Sequence, residues 1–113
     1  MKDDRLYLIH ISECLERIES YLKGVDRKTF LAAPLIQDAV LRNLQIMAES
    51  TQRLSDDAKD RRPEVAWYKL AGFRNILVHD YLGIEIETVW NIIEKDLPAL
   101  KEAIRSTGPG GHV

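Results

Sequence analysis

The sequence predicts a single-domain, all-α protein. Three observations lead there: apolar residues recur at spacings of three and four, no stretch alternates as a half-buried strand requires, and Gly, Pro and capping residues punctuate the periodic segments. At 113 residues the chain suits one core, because single domains commonly form at about 100 to 150 residues. Hydrophobic content of 45% and charged content of 30% are ordinary for a globular protein and argue against disorder.

Leu8, Ile11, Leu15, Ile18 and Leu22 form the apolar stripe of a first helix, with charged residues between them. Asp3 or Asp4 is placed to cap its start, and Gly24 to end it. Tyr7, Cys14 and Tyr21 share a seven-residue spacing beside that stripe and are expected to pack. Asp26 to Leu31 reads as a short capped helix or turn. Pro34 then opens a second long helix, where a first-turn proline costs nothing because that N–H has no intrahelical partner. Ile36, Val40, Leu44, Met47 and Leu54 line it, and its end is expected near Ser55.

The polar stretch Ser55 to Pro63 allows one capped turn before a loop. Val65, Trp67, Leu70, Phe73 and Leu77 resume the helical pattern, with Gly83 as its stop. A last helix is expected from about Ile86 to Arg105, with Val89, Trp90, Ile93, Leu97, Leu100 and Ile104 inward and a kink or break at Pro98. The helical domain is thus residues 1–106, and the Gly-rich 107–113 reads as a flexible tail.

Apolar runs are only a few residues long, far short of the roughly 20 that cross a bilayer, and the start lacks the order of a signal peptide. A cytoplasmic protein without a membrane partner is the expectation. The single Cys14 cannot form an internal disulfide. A net charge of −2 and a pI near 5.9 give no global attraction to nucleic acid, so any such site must be local. The local candidates are Arg42, Arg53, Arg61, Arg62, Lys69 and Arg74, each of which also suits a solvated helix face.

The sequence has no phosphate-cradling glycine loop, dinucleotide fingerprint, zinc spacing or nucleophile elbow, and no cofactor is expected. His10 and Cys14 lie four apart on one helix, but two ligands do not make a metal site. What stands out is Arg74, Asn75, His79, Asp80 and Tyr81, which place five hydrogen-bonding side chains within eight residues. At about 100° per residue Gly72, Asn75 and His79 share one stripe, whereas Arg74 falls about 140° from His79. One straight helix therefore does not bring Arg74 and His79 together. Either the region near Gly83 frays, or the same helix of a second subunit supplies the partner across a two-fold axis, where Gly72 would permit close approach.

Such a group suits metal-free RNA cleavage, in which the 2′-hydroxyl attacks the adjacent phosphate. Histidine carries protons near neutral pH, and a guanidinium fork holds a phosphate and stabilises its developing charge. The competing reading is structural: Arg74 and His79 would cap carbonyls or pair with Asp80, Glu85 or Glu87.

The Arg, four residues, His, one residue, Tyr pattern at Arg74, His79 and Tyr81 resembles the signature of the HepT family of HEPN-domain toxins. Further phrases carry the same resemblance across most of the chain: 38–44, Trp67, 71–75, 81–84, Val89-Trp90 and Asp96-Leu97-Pro98. The resemblance implies an antiparallel bundle of about five helices, a homodimer, and an interface cleft holding Arg74 and His79, with Asn75 orienting the site. Arg42 and Glu49 match polar positions of the second long helix and would either join the cleft with Asp80 or form an ion pair across the bundle. It further implies metal-independent cleavage of RNA, such as tRNA or mRNA, rather than of DNA. The implied partner is a nucleotidyltransferase antitoxin of the MntA type that adds AMP to Tyr81. The added charge and bulk would block a site built for phosphate; otherwise Tyr81 is a packed aromatic. Two other functions compete with the toxin: a non-catalytic HEPN module that binds nucleotides or regulates, and a helical scaffold for a nucleotidyltransferase.

Overall fold

The computed structural model describes residues 4–79 and 85–107, without the side chains of 76–79, 106 and 107. Among the described residues the backbone forms seven helical segments and no strand: α1 (Asp4–Leu22), α2 (Arg27–Leu31), α3 (Pro34–Gln52), α4 (Asp56–Asp60), α5 (Trp67–His79), α6 (Ile86–Lys95) and α7 (Leu97–Thr107). Five have ten residues or more, and α2 and α4 are single short turns of five. No helix among the described residues is long and apolar enough to cross a membrane.

The helix boundaries follow local chemistry. Gly24 adopts φ +73° just past α1, the left-handed conformation that an L side chain resists. The Asp26 carboxylate accepts from the Thr29 N–H at 2.8 Å to cap α2, and Pro34 opens α3. Two boundaries settle readings that the sequence left open. The second long helix stops at Gln52, and Ser55 is the cap of α4, its hydroxyl accepting from the Ala58 N–H at 3.1 Å. Of the kink or break expected at Pro98 the chain takes the break: α6 ends at Lys95 and α7 begins at Leu97, so Pro98 sits in a first turn, where its missing N–H costs little.

α1 and α3 form the central antiparallel pair. Ile11, Cys14, Leu15 and Ile18 from α1, and Val40, Leu41, Leu44, Met47 and Ala48 from α3, are buried in one core. Asp4 fixes their direction, because its carboxylate accepts from the Ser55 N–H at 2.8 Å and the Ser55 hydroxyl at 2.7 Å. The start of α1 therefore lies where α3 has just ended. The Trp67 indole N–H is shared between the carbonyls of Lys59 and Arg62, 3.0 Å from each, so α5 begins at that same end and runs back along α3. Tyr21, expected to pack, is 37% exposed.

α2 closes the other side. Phe30 is fully buried, and its ring centroid lies 5.2 Å from that of Trp90 on α6. Arg27 pairs with Glu87 at 2.5 Å across the same junction, while the Gln37 amide donates to the carbonyls of Phe30 and Leu31 at the end of α2. α7 lies beside α1, with Lys101 paired to Glu19. Because Phe30 carries the apolar contact of a five-residue helix, Phe30→Ala should cost about 3 to 5 kcal/mol of stability. Urea unfolding measures this, and a loss under about 1 kcal/mol would mean that α2 is not seated on the core by this ring.

Candidate active site

The polar feature of the core bundle is an ion pair between α5 and α3. Arg74 donates from Nε to Glu49 Oε1 at 2.8 Å and from Nη2 to Glu49 Oε2 at 3.3 Å, a bidentate contact between residues 25 apart in sequence. Arg74 also donates from Nη1 to Asn75 Oδ1 at 3.2 Å. Both side chains of the pair are about one-third exposed, 32% for Arg74 and 37% for Glu49, so solvent reaches the pair. Helix geometry produces it: Arg74 lies about 10 Å along α5 from its start, opposite Glu49, three residues before α3 ends.

The pair fixes the charges of its members. The hydrogen bonds from Arg74 hold the Glu49 carboxyl below the ordinary glutamate range, with the positive charges of Arg74 and Arg53 adding to the effect. The carboxylate in turn makes Arg74 harder to deprotonate. Both are charged at neutral pH.

A guanidinium has five N–H donors in a planar fork. Glu49 and Asn75 engage three: the one on Nε, one on Nη2 and one on Nη1. Among the described residues, one donor on each terminal nitrogen has no partner. Two donors side by side on the end of a guanidinium are the arrangement that grips a phosphate or carboxylate bidentately. The arginine is thus held by Glu49 and Asn75, with two N–H donors that no described residue engages.

The sequence-derived site residues distribute as follows. Asn75 is exposed and contacts Arg74 directly, in keeping with an orienting role. Glu49 pairs with Arg74, whereas Arg42 is exposed on α3. The structural alternative had paired Arg74 with Asp80, Glu85 or Glu87, yet its partner is Glu49 and that of Glu87 is Arg27. His79 is the last residue of α5, so the helix backbone sets positions 74 and 79 about 140° apart, as the sequence required. The side chain of His79, and Asp80 and Tyr81 entirely, lie outside the described residues.

Gly72 is exposed in the middle of α5, and a Cβ built there meets no described atom within 4 Å. A mid-helix glycine costs roughly 0.5 to 1 kcal/mol relative to alanine, and packing among the described residues does not explain it. Tyr68, 76% exposed, and Asn75 flank Gly72 on the same outward stripe of α5.

A family profile described as ribonuclease HepT-like matches residues 11–107. A gamma-glutamylcyclotransferase and candidate RNase of Methanocaldococcus jannaschii is 35% identical over 91% of this chain, which spans only 46% of that longer relative. Another candidate RNase of the same organism is 31% identical over 91% of this chain and 94% of its own length. A "probable ribonuclease HepT" of Thermococcus cleftensis is 34% identical over 84% of this chain and 86% of its own length. No solved structure matches the chain significantly.

The pair between Glu49 and Arg74 carries a pH signature. A carboxyl whose folded pKa is depressed contributes stability above its unfolded value and loses it as pH falls through the folded value. Glu49→Gln should therefore be less stable than the parent at pH 7, and the gap should close as pH drops below the ordinary glutamate value of 4.5. Thermal melting across pH 3 to 7, a window of roughly two units either side of carboxyl titration, reads this directly. A gap that stays constant into acid would mean that the pair adds nothing to folding.

Proposed function

This chain belongs to the ribonuclease HepT-like family, and from that premise we propose that it is the toxin ribonuclease of a toxin–antitoxin pair, cutting RNA at a cleft between two copies of the chain. The observation that carries this reading is Arg74, held by Glu49 and Asn75 with one N–H donor on each terminal nitrogen that no described residue engages. Those two donors can hold oxygens of a phosphodiester.

In the proposed reaction the ribose 2′-hydroxyl attacks phosphorus, and the bond to the leaving 5′-oxygen breaks. A proton leaves the 2′-oxygen and another reaches the 5′-oxygen, with no metal required. Arg74 stabilises the charge that builds on the phosphate oxygens, and His79 transfers protons, a role worth about 10² to 10⁴ in rate.

Since one helix separates positions 74 and 79 by about 140°, each working cleft takes its arginine and its histidine from different copies. The outward stripe of Tyr68, Gly72 and Asn75 supports α5 as the contact face, because glycine lets two helices approach closely. A nucleotidyltransferase antitoxin of the MntA type silences the cleft by adding AMP to Tyr81, placing negative charge and bulk beside a phosphate site.

Two experiments test this. Arg74→Ala and His79→Ala should each abolish RNA cleavage while keeping the helical spectrum of the parent. Mixing the two inactive proteins should restore cleavage, because one cleft of the mixed dimer then has both groups. Restoration failing, with the parent active, would place both groups in one copy. Separately, co-expression with the nucleotidyltransferase should add AMP-sized increments of mass to the peptide bearing Tyr81, and the same peptide unmodified in both preparations would remove the modification from the mechanism.

A further inference from the structure

Around the axis of α3, the positions Arg42, Glu49 and Arg53 fall within about 40° of one another at 100° per residue. They lie opposite the buried positions Val40, Leu44, Met47 and Thr51. Arg42 and Arg53 are exposed, and neither is in an ion pair among the described residues. Arg74 reaches this stripe from α5 through Glu49. Along the stripe the order is therefore Arg42, then Arg74 at Glu49, then Arg53. Along the helix axis Arg42 stands about 10 Å to one side of Glu49, and Arg53 about 6 Å to the other.

We propose that this stripe is the track for the RNA strand: the scissile phosphate sits on Arg74, and Arg42 and Arg53 hold backbone phosphates to either side of it. The assignment rests on the ribonuclease reading above and adds where the substrate lies and which groups hold it.

Three arguments converge. The stripe carries three arginines against one glutamate, in a chain whose net charge is −2, so it concentrates positive charge where the whole protein does not. Four basic residues outside the stripe are paired with carboxylates, Arg27 with Glu87, Arg61 with Asp57, Lys69 with Asp96 and Lys101 with Glu19. The length, about 16 Å from Arg42 to Arg53, suits a few nucleotides of extended strand. Arg53 is also close enough to Glu49 for its charge to be felt there, which places it beside the pair. Asp38, about one turn before Arg42 and exposed, ends the positive stripe with an acidic residue.

The test is the salt dependence of binding, because each phosphate contact on single-stranded nucleic acid contributes about 0.7 to the slope of log K against log salt. The probe is a short labelled 2′-O-methyl oligouridylate, which lacks the attacking hydroxyl and cannot be cut. Arg42→Ala and Arg53→Ala should each weaken binding and reduce the slope by about 0.7. Arg61→Ala, which removes an equal charge from the end of α4, away from the stripe, should leave the slope unchanged.

Equal losses for all three variants would show that only net charge matters and would overturn the track. An unchanged slope for Arg42→Ala and Arg53→Ala would overturn it as well. Cleavage of unmodified RNA by the parent, measured in parallel, separates the two readings: cutting that survives such a result leaves the ribonuclease standing without this track. A parent that neither binds nor cuts RNA removes both.

Discussion

Everything in this fold leans on α3. The helix is buried on one broad face, where α1 packs along its length, and α5 returns beside it. The buried face includes polar residues that satisfy themselves locally: the Asn43 amide donates to the Ala39 carbonyl at 3.0 Å, and the Thr51 hydroxyl to that of Ala48 at 2.8 Å. Because these bonds stay within the helix, α3 meets its neighbours as an essentially apolar surface despite Asn43 and Thr51, avoiding the penalty of burying unpaired polar groups. Its opposite face is then the one place where charged side chains reach solvent, and Glu49 uses that freedom to capture Arg74. The position of the guanidinium is a consequence of which face of α3 is left uncovered.

That origin explains why arginine is suited to position 74. A lysine could satisfy Glu49 or an incoming phosphate, but its ammonium has no planar edge to divide between them. The guanidinium engages one edge with Glu49 and has further donors that no described residue engages. Glu49 offsets the charge of Arg74, which weakens the pull on phosphate, and in exchange it removes the freedom of a long side chain. A preorganised group loses less entropy on binding than a mobile one. The flanking Arg42 and Arg53 restore the attraction that Glu49 takes away, and the charge balance becomes local to one stripe of an acidic protein.

Much of this was legible in the sequence, and the reasons for the rest are specific. The stripes of α1 and α3 were readable because one buried face per helix imposes a period near 3.6 on the apolar residues. The break at Pro98 was readable because the ring excludes a backbone bond. By contrast, Ser55 reads equally well as the end of one helix or the cap of the next, and only the position of Ala58 decides. The partnership of Arg74 with Glu49 joins residues 25 apart, and no local pattern encodes it. Knowing that α5 runs back along α3 was needed first. Even then the spacing offers a clue, since Arg42 and Glu49 are seven apart and mark an uncovered face. The expectations for Asp80, Tyr81 and Gly83 fall outside the described residues.

The geometry of α5 also constrains how such a site can operate. Its inner side is committed to α3 through Leu70, Phe73 and Arg74, so the helix cannot rotate to turn position 79 toward Arg74 without breaking the core. A 140° separation on a helix seated this way is a fixed quantity. On the ribonuclease reading, the missing proton carrier must therefore arrive from outside the helix, and the exposed Gly72 stripe is the surface on which a second copy could bring it. Chemistry would then exist only in the assembled pair. Dilution or a competing partner on that stripe would switch it off without altering the fold of either copy.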